Sequence, residues 1–154
     1  VKNPNYTFNE TVFRQKTARL REAQKAYAIA AQGDKLFKEK QYDEALAEYR
    51  AAARMDPDQA PFHSSAGRVH LIRKEFGPAE GELQRALELD NESFEPHYLM
   101  GALRYEKREF RTAIPELKRS MELYPTKQAA AMLSKSYGAL GDAVNARKYA
   151  DMAK

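Results

Sequence analysis

Residue types recur along this chain at a fixed offset of 34. Glycines stand at Gly33, Gly67 and Gly101, and alanines at Ala45, Ala79 and Ala113, with Ala146 one residue early. Aromatics stand at Tyr42, Phe76 and Phe110, and turn-formers at Pro57, Asn91 and Pro125. A period of this length marks a stack of small units, none of which can bury its apolar face without a neighbour. Each period holds two apolar-periodic stretches around a charged turn: Glu39-Lys40-Gln41, Arg73-Lys74-Glu75, Lys107-Arg108-Glu109 and Leu140-Gly141-Asp142. The unit therefore reads helix, short turn, helix, longer turn.

Two antiparallel helices approach closely only where small side chains meet. The spacing predicts Gly33, Gly67 and Gly101 on the first helix of each pair, facing Ala45, Ala79 and Ala113 on the second. Ala52, Ala86, Ser120 and Ala153 would admit the next unit. Tyr49, Leu83 and Leu117 fill between them, and Met55, Leu89 and Leu123 close each unit's end. Pro78 suits the first turn of a helix, where its missing N–H is no loss. Pro115 lies deeper and should loosen or bend its helix.

Ahead of the repeats, Val1–Tyr6 contains Asn-Pro-Asn and reads as irregular. Thr7 followed by Glu10 fits a capping box. No proline then occurs until Pro57 and no glycine until Gly33, and Phe13, Leu20 and Tyr27 recur every seven residues. These features predict one long helix from about Phe8 to Glu39, with Gly33 the place for any bend. Its first half projects beyond the array. Residues 1–31 carry six basic groups against two acidic ones, whereas the remaining 123 residues carry 20 of each. The whole excess of +4 thus sits on the lead-in segment. Such asymmetry suits an acidic partner or neighbouring domain, although a solvated helix face accounts for the same charges. Phe13, Arg14, Leu20 and Arg21 form the expected second interface, through which copies of the chain would associate.

Length and composition bound the rest. The 154 residues suffice for a real core, and no apolar run approaches the ~20 residues of a bilayer helix. Cysteine is absent, which removes disulfide and thiol chemistry without identifying a compartment. The chain begins at Val1, so an excised piece or a processed product is expected.

Catalytic and metal chemistry find no support. His63 and His70 lie seven apart, and His97 repeats the place of His63. Equivalent slots of adjacent units lie roughly 10 Å apart, whereas zinc ligands converge to about 2.0–2.3 Å from one point. Packing histidines are therefore expected, with no metal and no cofactor. No HExxH, phosphate-cradling loop or nucleophile elbow is present, so the chain is read as non-catalytic. Arg14, Arg21 and Lys25 share a helix face that could meet phosphates. The repeats themselves are neutral, however, and nucleic acid is not the expected partner.

The small residue, the alanine, the aromatic and the terminal proline together resemble the tetratricopeptide repeat. The resemblance covers residues 26–154 as four units: 26–59, 60–93, 94–127 and 127–154. Residues 1–25 remain as a lead-in and basic helical extension. His63, His97 and Ile29 depart from the family, standing where it favours tryptophan. Ser134 replaces the fourth glycine, which should loosen that unit. The resemblance implies an all-α, right-handed superhelix of antiparallel helix pairs, here with a long N-terminal helix. It also implies a concave face, lined by the first helices, that binds a protein or peptide segment. Projected onto this chain, the groove presents Tyr27, Ala30, Asp34, Ser64, Arg68, Leu71, Tyr98, Tyr105 and Lys135.

A branch of the family clamps acidic chain ends with lysines, arginines and asparagines. Those places here hold Ala30, Asp34, Ser65, Glu95 and Leu99, so peptides ending in acidic residues should bind poorly. The layout is also similar to the C-terminal repeat regions of some bacterial zinc metallopeptidases. That likeness implies an alternative role as a regulatory or substrate-presenting module beside an upstream catalytic domain.

Overall fold

The computed structural model describes residues 9–154. Eight helices and no strand occupy them. They are α1 (Glu10–Lys38), α2 (Tyr42–Met55), α3 (Ala60–Ile72) and α4 (Phe76–Leu89), followed by α5 (Phe94–Glu106), α6 (Phe110–Leu123), α7 (Lys127–Ala139) and α8 (Ala143–Met152). The expected irregular stretch Val1–Tyr6 and the Thr7 half of the capping box lie outside the described residues. The cap observed is Asn9, whose Oδ1 accepts from the Val12 N–H at 3.1 Å. With 29 residues in one unbroken run, α1 spans about 44 Å.

Successive helices pair as α1–α2, α3–α4, α5–α6 and α7–α8, and each pair leans on the next. The small residues permit this, but their partners differ from the expected ones. A Cβ built on Gly67 would lie 2.8 Å from Leu83 Cγ, and one on Gly101 would lie 2.6 Å from Leu117 Cγ. On Gly33 it would meet the Tyr49 ring at 2.9 Å. Each glycine thus makes room for the large residue one helical turn beyond the alanine. Ala45, Ala79 and Ala113 are themselves fully buried at the crossing. Other departures are small. Met55, expected to close its unit, is 40% exposed, and α6 runs through Pro115 without interruption. Ser134, in the fourth glycine's place, donates its hydroxyl to the Ala146 carbonyl at 2.8 Å. This bond ties α7 to α8 across the position expected to loosen.

The short turns repeat as faithfully as the core. Lys40, Lys74 and Arg108 have φ of 61°, 59° and 60°, and Gly141 has 80°. In each case the next residue's N–H reaches back along the chain to close the helix end: Gln41 to Leu36, Glu75 to His70, Glu109 to Arg104 and Asp142 to Tyr137. This is the left-handed C-cap that satisfies carbonyls otherwise left open at a helix terminus. The aromatic after the turn then folds back onto the helix before it. Phe37 meets Tyr42 and Tyr105 meets Phe110 edge-on, at 5.5 and 5.6 Å between centroids.

Curvature follows from which helices touch. α3 packs on α5 and α5 on α7, while the second helices of successive pairs make no comparable contact among the described residues. The first helices therefore form the inner wall. Three apolar clusters run along the array, centred on Tyr49 and Phe62, on Leu83 and Leu103, and on Leu117 and Leu133.

A candidate partner-binding surface on the inner wall

On that inner wall, α3, α5 and the start of α7 line an open pocket of about 300 Å³. Arg68 and Glu95 supply its charge, Phe94, Tyr98 and Leu99 its apolar side, and Gln128 a neutral polar edge. Arg68 arises from the second repeat and Glu95 from the third, so the pocket exists only because the pairs stack. The Arg68 guanidinium lies over the Phe37 ring at 4.4 Å. It stands 3.4 Å from Glu95 and 3.9 Å from Asp34, and its buried Nε–H has no acceptor among the described residues. Asp34 is held in turn by the Tyr49 hydroxyl, which donates to it at 2.7 Å. Burial first, and then this bond to Asp34, push the Tyr49 hydroxyl up to about 12.

The residues expected to line the groove therefore divide. Arg68 and Tyr98 line the pocket, and Asp34 stands outside its lining, 3.9 Å from Arg68. Tyr27 is 47% exposed, yet its hydroxyl donates to Gln59 and its ring meets Phe62 edge-on at 5.0 Å. Leu71 and Tyr105 sit half-buried against the second and third clusters, and Lys135 is exposed on α7. Ser64 and Ala30, expected at the surface, are buried at 2% and 8% exposure. Tyr98 packs against both the second and third clusters, and burial raises its hydroxyl above the usual tyrosine range. Phe94 and Gln128 join the pocket without being expected there. Their positions carry a signal, since they sit at the start of α5 and α7, beside the clamp position held by Glu95.

The histidines act as braces. His63 Nδ1 meets Glu82 at 2.8 Å and its Nε2 the Pro57 carbonyl at 3.2 Å. One repeat on, His97 meets Glu116 at 2.7 Å and the Asn91 carbonyl at 3.0 Å. His70 is buried between Glu75 at 2.5 Å and Arg50 at 3.1 Å. Its Nδ1–H donates to Glu75 and holds that carboxyl below the usual glutamate range. Among the described residues, no three His, Asp or Glu side chains are grouped to hold a metal ion.

A second surface lies on the lead-in half of α1. Phe13 and Leu20 are 57% and 65% exposed, and Arg14 and Arg21 are exposed beside them. Between this helix and the α2–α3 turn, Lys16, Arg19 and Leu20 face Met55, Asp56 and Asp58 across a notch of about 590 Å³. No described helix is long and apolar enough to cross a membrane.

Comparison with known proteins agrees with this architecture. Residues 33–71 match the family model described as TPR repeat. No curated protein matches the chain. Among solved structures, the chain is similar to the first TPR of Spaghetti (RPAP3) bound to HSP90 peptide SRMEEVD. The two share 28% identity over 77% of this chain and 95% of that one, with a TM-score of 0.74. It is also similar to the first TPR domain of human RPAP3, at 26% identity over 78% of this chain and 95% of that one, with a TM-score of 0.72. MamA shares the fold at 19% identity, over 96% of this chain and 94% of that one, with a TM-score of 0.75. Sequence period, helix pairing and these likenesses converge: the chain has the fold of a tetratricopeptide array, and residues 33–71 carry the sequence match to that repeat.

Proposed function

We propose that this chain works by binding and not by catalysis, capturing a segment of a partner protein on the inner wall formed by α1, α3, α5 and α7. The observation that carries this reading is the pocket spanning α3, α5 and α7. There a half-buried tyrosine, Tyr98, stands beside Arg68, whose guanidinium lacks a full set of acceptors among the described residues. Aromatic and arginine side chains of this kind dominate the energetics of protein interfaces. The inner wall also suits an extended or helical segment, because neighbouring repeats offer contacts at regular intervals along it.

The test replaces Tyr98 and Tyr105 with alanine and measures capture of partners from the source lysate, with circular dichroism to monitor folding. The expected outcome is capture weakened at least tenfold for the Tyr98→Ala chain, with helix content retained. Unchanged capture of the same partners removes the inner wall as the binding surface. The lead-in half of α1 serves as the second contact surface in this reading.

A further inference from the structure

The inner-wall pocket has a chemistry that separates one kind of segment from another. Its volume of about 300 Å³ lies at the small end of ligand pockets, about 300–1,000 Å³. Open to solvent, it suits one large side chain of a segment lying along the wall. Phe94, Tyr98 and Leu99 give that side chain an apolar seat. The charges beside it are unequal. Among the described residues Arg68 is the one cation lining the pocket, and two carboxylates already approach it, Glu95 at 3.4 Å and Asp34 at 3.9 Å. An incoming carboxylate would have to displace them and would meet a net negative neighbourhood.

An incoming cation meets the opposite situation. Glu95 is about one-third exposed, and its pairing with Arg68 is longer than a good hydrogen bond. Asp34 is half exposed. Glu95 lines the pocket and Asp34 stands behind Arg68, and both retain acceptor capacity, because an ionised carboxylate offers about four acceptor sites.

We propose that the pocket takes an internal partner segment bearing a large apolar side chain against Phe94, Tyr98 and Leu99 and a basic side chain against Glu95, with the Asp34 charge nearby behind Arg68. An acidic chain end is not its ligand. This inference rests on the inner wall being the binding surface and adds the chemistry of what binds there. It distinguishes the chain from its structural relative bound to SRMEEVD, a peptide whose last four residues include three acids.

The experiment uses the full chain and fluorescence anisotropy with three labelled peptides. One carries a central phenylalanine flanked by lysines and is blocked at both ends. The second is identical with glutamates for lysines. The third is SRMEEVD with a free C-terminus. The lysine-flanked peptide should bind about five- to tenfold more tightly than either acidic one, with the advantage shrinking at high salt. Glu95→Lys lies on the partly exposed rim, leaves the core untouched and should abolish or invert that preference. Tyr98→Ala should weaken binding of the lysine-flanked peptide.

If an acidic peptide binds more tightly and Tyr98→Ala still weakens it, the basic preference is overturned while the inner wall stands. If no peptide binds, or if binding ignores both substitutions, the inner wall itself falls and this proposal with it. Concentration-dependent self-association abolished by Glu95→Lys would make a second copy of the chain the occupant and would overturn the external partner.

Discussion

Gly101 and Gly81 stand in opposite physical situations. At Gly101 an added methyl would stand 2.6 Å from Leu117 Cγ and 3.2 Å from the Leu117 backbone nitrogen, so side-chain adjustment alone does not relieve it. Gly101→Ala should destabilise the fold by about 1–3 kcal/mol through overpacking, read as a fall of roughly 3–10 °C in thermal midpoint. Gly81 is exposed in the middle of α4, and a methyl added there would meet nothing within 4 Å. Gly81→Ala should therefore stabilise by about 0.5–1 kcal/mol. Opposite signs from the same substitution, measured by thermal melts, check the crossing geometry directly.

Tyr49 supplies a pH prediction at the same scale. Its hydroxyl is held to about 12 in the fold, against about 10 in an unfolded chain. The folded state keeps the proton over a range where the unfolded state loses it. Stability from this group is complete below about pH 10 and is lost as pH rises toward 12. Melts across that window should slope downward, and Tyr49→Phe should flatten the slope.

The glycine period is plain in the sequence, yet the identity of the facing residue is not. Periodicity locates a helix face, whereas the turn on which two helices touch depends on their crossing. Ser64 misleads for a related reason. The resemblance projects it onto the concave face, but its register on α3 turns it inward, and tertiary packing decides burial.

At the scale of elements, the short turns show what spacing conceals. Charge at Lys40, Lys74 and Arg108 looks like ordinary solvated punctuation. All three adopt left-handed backbone, a conformation that costs non-glycine residues roughly 1–2 kcal/mol. Each also places a cation at the C-terminal end of a first helix, where the helix dipole favours positive charge. Lys74→Val should cost more than about 1 kcal/mol, since a β-branched side chain tolerates that backbone poorly. Lys74→Asn, with a side chain that accepts it, should be close to neutral. Chemical denaturation of the two variants separates backbone conformation from lost charge, which both share.

The lead-in half of α1 is the opposite case. Its helicity is legible from the heptad of Phe13, Leu20 and Tyr27 and from the absence of breakers. Its start is less so: the cap among the described residues is Asn9, and Thr7 lies outside them. Residues 10–22 are exposed apart from the half-buried Thr17. Deleting residues 1–22 should therefore leave the thermal midpoint within about 3 °C, since little buried surface is lost. Sedimentation of the shortened chain then reports whether this helix mediates association.

Over the whole molecule, the repeat period implies the stack, and the stack implies an inner wall. The composition of the pocket on that wall is less accessible. Arg68, Glu95 and Gln128 are separated by 27 and 33 residues along the chain and meet only after the first helices align. Counting charges puts the excess on the lead-in and leaves the repeats neutral. Neutral totals conceal a local imbalance, with two carboxylates beside one guanidinium.

Because each pair packs chiefly on its neighbours among the described residues, the array resembles a chain of stiff plates joined by compliant seams. Tyr98 spans one such seam, contributing to two apolar clusters at once. A segment held against this ring would load both plates together. Binding at that seam would register as a change in the elasticity of the array.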